Sequence, residues 1–275
     1  MNKENRFQFI NNKKCENITV LDVTMSDFSY SKHAHEEYSL GVTLQGRQDF
    51  FCQKAFHKSA SGNVIIFNPE DVHDGHSGGE QDLKYKMLYV HPDEFSPLFK
   101  SLGYQENTIL RLDQPLFDNP NLRHQILKLS TLIQQFNYSK IELEAGLLQV
   151  AQSLVTTSGK LDLGIQNTKR IDKLLLRAKD YILANLPYDI SIDNIAEVAT
   201  MSKFHFIRQF RLQFGITPHQ YVLSCRVNLA RKLIESGRPL NQAAFDAGFA
   251  DDSHLNRHFK RIYGVTPKRF QKQLI

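Results

Sequence analysis

SKFHFIRQFRLQFGITP (Ser202–Pro218) and DDSHLNRHFKRIYGVTP (Asp251–Pro267) are two versions of one unit. Phe206, Arg208, Phe210, Phe214, Gly215, Thr217, Pro218 and Tyr221 recur as Leu255, Arg257, Phe259, Tyr263, Gly264, Thr266, Pro267 and Phe270, at an offset of 49 throughout. Upstream, Ile192, Ile195 and Ala196 recur as Leu240, Ala243 and Ala244 at an offset of 48. The second copy therefore carries one extra residue between its two apolar stripes, where a turn tolerates it. Self-similarity of this kind marks a duplicated structural unit.

Each copy has the pattern of a helix-turn-helix. Ser191 is a helix-capping residue type, and Ile192, Ile195, Ala196 and Ala199 behind it form a one-sided stripe. Alanine on that stripe lets a second helix cross closely. Ser202 reads as the cap of the second helix, whose Phe206, Phe210 and Phe214 fall at i, i+4 and i+8 on one face. Asp251 is the corresponding cap in the second copy, with Leu255, Phe259 and Ile262 or Tyr263 inward. Gly215 and Gly264 read as stops, and Thr217-Pro218 and Thr266-Pro267 as restarts of a short helix. Tyr221 to Ser236 reads as one connecting helix.

The outward faces are those of recognition helices. Arg208 suits a bidentate contact with guanine, and Phe204 and Ile207 suit a thymine methyl. Ser253, Asn256 and Arg257 hold the equivalent face of the second copy. Lys203, Arg211 and Lys260 are placed for phosphate. Double-stranded DNA is therefore the expected partner. If both helices read one face of B-DNA, they sit about one turn, ~34 Å, apart.

Charge supports that partner. The chain of 275 residues has a net charge of +5. Residues 170–275 contain 17 basic and 9 acidic side chains, while residues 1–169 stand at a net −3. A basic segment beside a weakly acidic one points to a polyanion partner for the former. No run approaches the ~20 apolar residues of a membrane span, and the polar N-terminus is no secretory signal. Three scattered cysteines, Cys15, Cys52 and Cys225, suggest neither a disulfide framework nor a zinc site, so a reducing cytoplasm is expected.

The first half reads differently. From about Val20 to Val90 the chain predicts short strands: Tyr38, Leu40, Val42 and Leu44 alternate with polar residues, and turn signals recur at Gly46, Ser61-Gly62-Asn63 and Asn68-Pro69. Regularly spaced short strands suggest a sandwich or barrel. Pro92 opens a helix with Phe95 and Phe99 inward, and two longer helices follow, one over Leu122–Ile133 and one over Ile141–Leu154. The fold class is α+β in two domains: a β-barrel with trailing helices over 1–157, a linker over 158–168, and an all-α domain over 169–275 with two helix-turn-helix units joined by a linking helix.

The residues from Lys169 to Ile275, above all Ala244–Phe270, resemble the DNA-binding domain of the AraC/XylS family of bacterial transcription regulators. The segments His33-Ala-His35-Glu-Glu-Tyr38 and Gly62–His73 resemble that family's cupin-like sensor domain, less specifically. The resemblance implies seven helices in the C-terminal domain, RNA polymerase as a partner of an activator, a homodimer, and an unknown small-molecule effector in the barrel.

His33, His35, Glu37 and His73 are the candidate effector-pocket residues. Three histidines and a carboxylate are also a metal-ligand set. Metal-binding cupins, however, place their glutamate four or five residues after the second histidine, where this chain has Ser39 and Leu40. No metal, cofactor or catalytic residue is therefore assigned. His33, His35 and Glu37 share one alternation parity and Tyr38, Leu40 and Val42 the other, so a bend or bulge must separate them. Two readings compete with an effector-controlled regulator: a metal-dependent cupin enzyme with a DNA-binding tail, and a non-specific architectural DNA binder.

Overall fold

The computed structural model describes residues 5–12, 15, 17–105, 109–136, 138–158 and 173–274. The first half forms β1 (Arg6–Asn11), β2 (Ile18–Met25), β3 (Ser29–His33), β4 (Tyr38–Gln45), β5 (Arg47–Cys52), β6 (Ala55–Ala60), β7 (Val64–Phe67), β8 (His73–Ser77) and β9 (Leu83–Val90). Helix α1 (Pro92–Ser101), the short β10 (Leu116–Phe117), α2 (Pro120–Gln134) and α3 (Lys140–Ser158) follow. The second half is helical: α4 (Lys173–Ala184), α5 (Ile192–Val198), α6 (Lys203–Phe214), α7 (Pro218–Glu235), α8 (Leu240–Asp246), α9 (Asp252–Tyr263) and α10 (Pro267–Gln271). The expected linker, beyond Ser158 at the end of α3, and its junction with the second domain to residue 172 lie outside the described residues.

The strands build two antiparallel sheets, not a closed barrel. One has the order β1-β2-β9-β4-β7-β10 and the other β3-β8-β5-β6. Phe50 of the small sheet meets Phe67 of the large one, ring centroids 5.3 Å apart. On its other face the large sheet packs Val20, Leu40, Val42, Ile66 and Leu88 against Phe95, Phe99, Leu122, Ile126 and Val150 of the trailing helices. β4 is thus covered on both sides, which its alternating sequence did not foretell: Ser39 and Thr43 are as buried as Leu40 and Val42. Burying these hydroxyls requires partners. Thr43 finds Ser59 at 2.7 Å and Ser39 finds His35 at 3.1 Å. Residues 34–37 separate β3 from β4 and supply the expected bend.

Helix starts follow the chemistry of their caps. Asn119 accepts from the Leu122 amide ahead of Pro120, and Ser191 forms a reciprocal capping box with Asn194. Asp251 accepts from the His254 amide at 2.7 Å. Ser202 stands at the cap of α6, but its side chain makes no capping bond. The two helix-turn-helix units keep the offsets of the sequence. The turn before α6 is residues 199–202 and the turn before α9 is residues 247–251, one longer. Each holds one left-handed residue, Thr200 at φ +53° and Gly248 at φ +83°.

Two expectations change here. Pro218 opens not a short helix but α7, because no breaker interrupts Tyr221–Ser236 before Gly237; only Pro267 opens a short one. Strand β1 lies upstream of the segment read as β. Its Phe7 and Phe9 are buried in the same apolar cluster as Leu255, Phe259, Tyr263 and Phe270 of the second helix-turn-helix unit. The first unit has its own core, where Leu175, Ala178 and Ile182 of α4 meet Ile195, Phe206 and Phe210.

Candidate DNA-reading faces and the seam between the domains

On α6, Phe206 and Phe210 are fully buried, so the opposite face is turned to solvent. Phe204 is 83% exposed, Arg208 and Arg211 are exposed, and Ile207 is half-buried. An aromatic ring left that far in water has no packing role in this chain. Arg208 leans on His205, at 3.4 Å, and Lys203 is held by Asp193 at 2.7 Å. On α9, Leu255, Phe259, Ile262 and Tyr263 face inward, while Ser253, Asn256, Arg257 and Lys260 are exposed. Arg208 and Arg257 occupy equivalent positions of equivalent helices. His258 follows Arg257 on α9, its ring 4.8 Å from that of His254. Partial burial and then His254, Arg261 and Arg257 push its imidazole down to about 4.

The second site is a seam that sequence patterning did not disclose. α7 joins the two helix-turn-helix units and also lies on the β-domain. Arg231 pairs with Glu37, and both are buried. Burial would raise the Glu37 carboxyl, but the Arg231 guanidinium overrides it and holds the group down to about 2. Around that pair, Ser224 exchanges hydrogen bonds with the backbone of Ala34 at 3.2 and 3.1 Å. The Asn228 amide donates to the Ala34 carbonyl at 2.8 Å and accepts from the Tyr263 hydroxyl at 2.8 Å. Lys232 pairs with Glu36, and Lys179 of α4 with Glu70 at 2.7 Å. At the far end Gln273 bonds the backbone of Phe7 and Phe9, each at 3.0 Å. Arg231 was missed because Tyr221–Ser236 reads as a connector alone. The available signal is a charge on the apolar stripe of Val227, Ala230 and Ile234, a position that demands a buried partner.

The four candidate pocket residues are all buried, but they do not act as one set. His33, His35 and His73 each offer a ligand-type atom, all within 4.8 Å of one another. Glu37 divides its carboxylate: Oε1 pairs with Arg231, and Oε2 lies 3.8 Å from Nδ1 of His35. Ring centroids of His33 and His73 are 4.4 Å apart, and Phe67 stacks on His73 at 3.8 Å. Burial, then the neighbouring histidines, lowers His33 to about 3 and His73 well below the usual range; burial also lowers His35. All three are neutral near pH 7. His35 also borders a cavity of about 480 Å³ between the domains, walled by Leu183, Leu186, Tyr221, Leu229 and Lys232. A second cavity, of about 590 Å³, lies along α2 and α3. Among the described residues no helix is long and apolar enough to cross a membrane.

Comparison with known proteins places both halves. Residues 17–151 match the model of the AraC-like ligand binding domain, and residues 195–273 that of a helix-turn-helix domain. The chain is 33% identical over 191 residues to the probable transcriptional regulator LumQ of Photobacterium leiognathi, covering 62% of this chain and 73% of that relative. It is 27% identical over 227 residues to the uncharacterized HTH-type transcriptional regulator YbfI of Bacillus subtilis, covering 82% and 81%. The fold is similar to that of ToxT from Vibrio cholerae, solved with an unsaturated fatty acid bound: TM-score 0.59, 14% identity, 99% of this chain and 98% of that one.

Proposed function

Because this chain belongs to the AraC-type family of helix-turn-helix transcription regulators, we propose that Arg208 and Arg257 read base edges in successive major grooves and that the contact between the domains sets how they do so. The observation that carries this is the exposure of both arginine-bearing faces while the opposite faces of α6 and α9 are buried. Phe204, Ile207, Ser253 and Asn256 complete base contact, and Lys203, Arg211 and Lys260 meet phosphate. A single long helix, α7, fixes the spacing of the two readers and carries the residues that grip the β-domain. A change at the seam therefore reaches both readers through one rigid element.

The effector, in this reading, is a small molecule that enters the cavity between the domains, where Leu183, Leu186 and Leu229 give an apolar wall and His35, Glu36, Glu70, Asn228 and Lys232 offer polar groups. That combination suits an amphipathic ligand. ToxT, whose fold is shared, binds an unsaturated fatty acid. A ligand there shifts the protein only if it binds the seam differently when closed and when open. His33 and His73 stand behind that wall. Activation through RNA polymerase, a homodimer formed by α2 and α3, and a cytoplasmic location belong to the same proposal, as does the absence of catalysis.

Selection from a random DNA pool by the purified chain at about physiological salt tests it. The expected result is a motif of two blocks about one helical turn apart. Retention without an enriched sequence would overturn base reading and leave a general DNA binder.

A further inference from the structure

We propose that His33, His35 and His73 form a binding site for one divalent transition-metal ion of the zinc type. The site is independent of the DNA-reading proposal and stands on the geometry of three buried imidazoles.

His33 closes β3 and His73 opens β8, where they are direct cross-strand partners. His35 lies two residues on, in the bend before β4. Their ligand-type atoms already lie within 4.8 Å of one another. Zinc–nitrogen bonds of about 2.0–2.1 Å put tetrahedral ligand atoms about 3.4 Å apart, so the rings need to close by little more than ~1 Å. His33 and His73 sit at strand ends beside a register shift, where that movement is cheapest.

The orientation of the rings is that of ligands. Nδ1 of His33 bonds the Ser31 carbonyl at 2.7 Å, Nδ1 of His73 bonds the Asp71 carbonyl at 2.8 Å, and Nδ1 of His35 bonds the Glu37 carbonyl at 3.2 Å. A carbonyl only accepts, so each Nδ1 carries the proton and each Nε2 presents a lone pair. A backbone carbonyl on the far nitrogen is the usual support of a metal-bound histidine. The Nε2 of His35 takes a hydrogen bond from Ser39, a hydroxyl free to turn away. Burial keeps the three rings neutral, the form in which imidazole binds a metal.

The donor set selects the ion. Three nitrogens and no carboxylate disfavour magnesium and calcium and favour zinc, cobalt or copper. The nearby carboxylates are committed elsewhere: Glu37 to Arg231, Asp71 to Arg111 and Asn68. Three protein ligands leave a fourth position open for water or a small anionic ligand.

The probe is cobalt(II), added to the full chain after stripping with a chelator. One equivalent per chain is expected, with visible d–d absorption that one equivalent of zinc abolishes. His73→Phe, which keeps a ring on Phe67, and His33→Gln should each lose the band, and His76→Ala should keep it. X-ray absorption at the zinc edge of the loaded wild-type chain needs no variant and should count three imidazole ligands. No cobalt uptake, a band that survives His73→Phe, or one or two imidazoles at the edge would overturn the site and leave a packed trio of aromatic rings.

Discussion

The ring of Phe7, in the first strand, occupies the space that a side chain on Gly264 would need: a Cβ there would meet three ring atoms at 2.5–2.7 Å. Gly264 is the left-handed C-cap of α9, at φ +75°. Its counterpart Gly215 caps α6 at the same φ with nothing within 4 Å. The duplicated unit thus contains its own control. Alanine at either position costs about 1–2 kcal/mol for the left-handed backbone. Gly264→Ala must also displace the Phe7 ring, adding about 1–3 kcal/mol. Urea unfolding of the two variants measures the difference, and equal costs would show that β1 is not docked on the second unit.

Removing one partner of the Arg231–Glu37 pair leaves a buried charge. Arg231→Met or Glu37→Gln is expected to destabilise by about 3–5 kcal/mol. Arg231→Met combined with Glu37→Leu should recover much of that loss, since an apolar pair can replace a buried ion pair. A double variant as unstable as the sum of Arg231→Met and Glu37→Leu made singly would argue that the two groups are not coupled.

DNA affinity separates the two kinds of contact on the recognition helices. Arg208→Ala and Arg257→Ala should each cost about 1–3 kcal/mol on a selected site and relax preference at one position only. Lys260→Ala should weaken binding to all sequences alike and lower the salt slope by about 1. A uniform loss from either arginine variant would reassign that residue to phosphate.

The imidazole of His258 gives α9 a pH response of definite sign. Its pKa is about 4 in the folded chain, below the ordinary 6.5. The unfolded chain therefore takes up the proton first. This contribution is fully present above about pH 6.5 and is lost as the pH falls toward 4. Much of the ring is solvated, so the change is modest. The urea midpoint of the wild type should fall over that window relative to His258→Gln; a constant gap between them would contradict the assignment.

Local signals carried the second half of the chain. The 48 and 49 offsets became the two turn lengths, the caps at Ser191 and Asp251 closed as their residue types require, and the i, i+4, i+8 apolar positions fixed which face of α6 is exposed. Helical periodicity and turn chemistry act over a few residues, so they survive in a sequence read alone. Ile141 shows their limit: it is apolar at the start of α3, yet is 76% exposed, because the buried stripe is Leu143, Leu147, Val150, Ala151 and Leu154 and Ile141 stands on the opposite face.

The sequence by itself determined the duplicated helix-turn-helix unit, the change from strands to helices near Pro92, and which faces of α6 and α9 are turned to solvent. Only the tertiary structure decided that β1 belongs to the core of the second reader, that Glu37 pairs with Arg231 of α7, and that His33, His35 and His73 converge. Those relations join residues up to 266 positions apart. No periodicity spans such a separation. Buried charge and shape complementarity specify the partner only once both surfaces have folded.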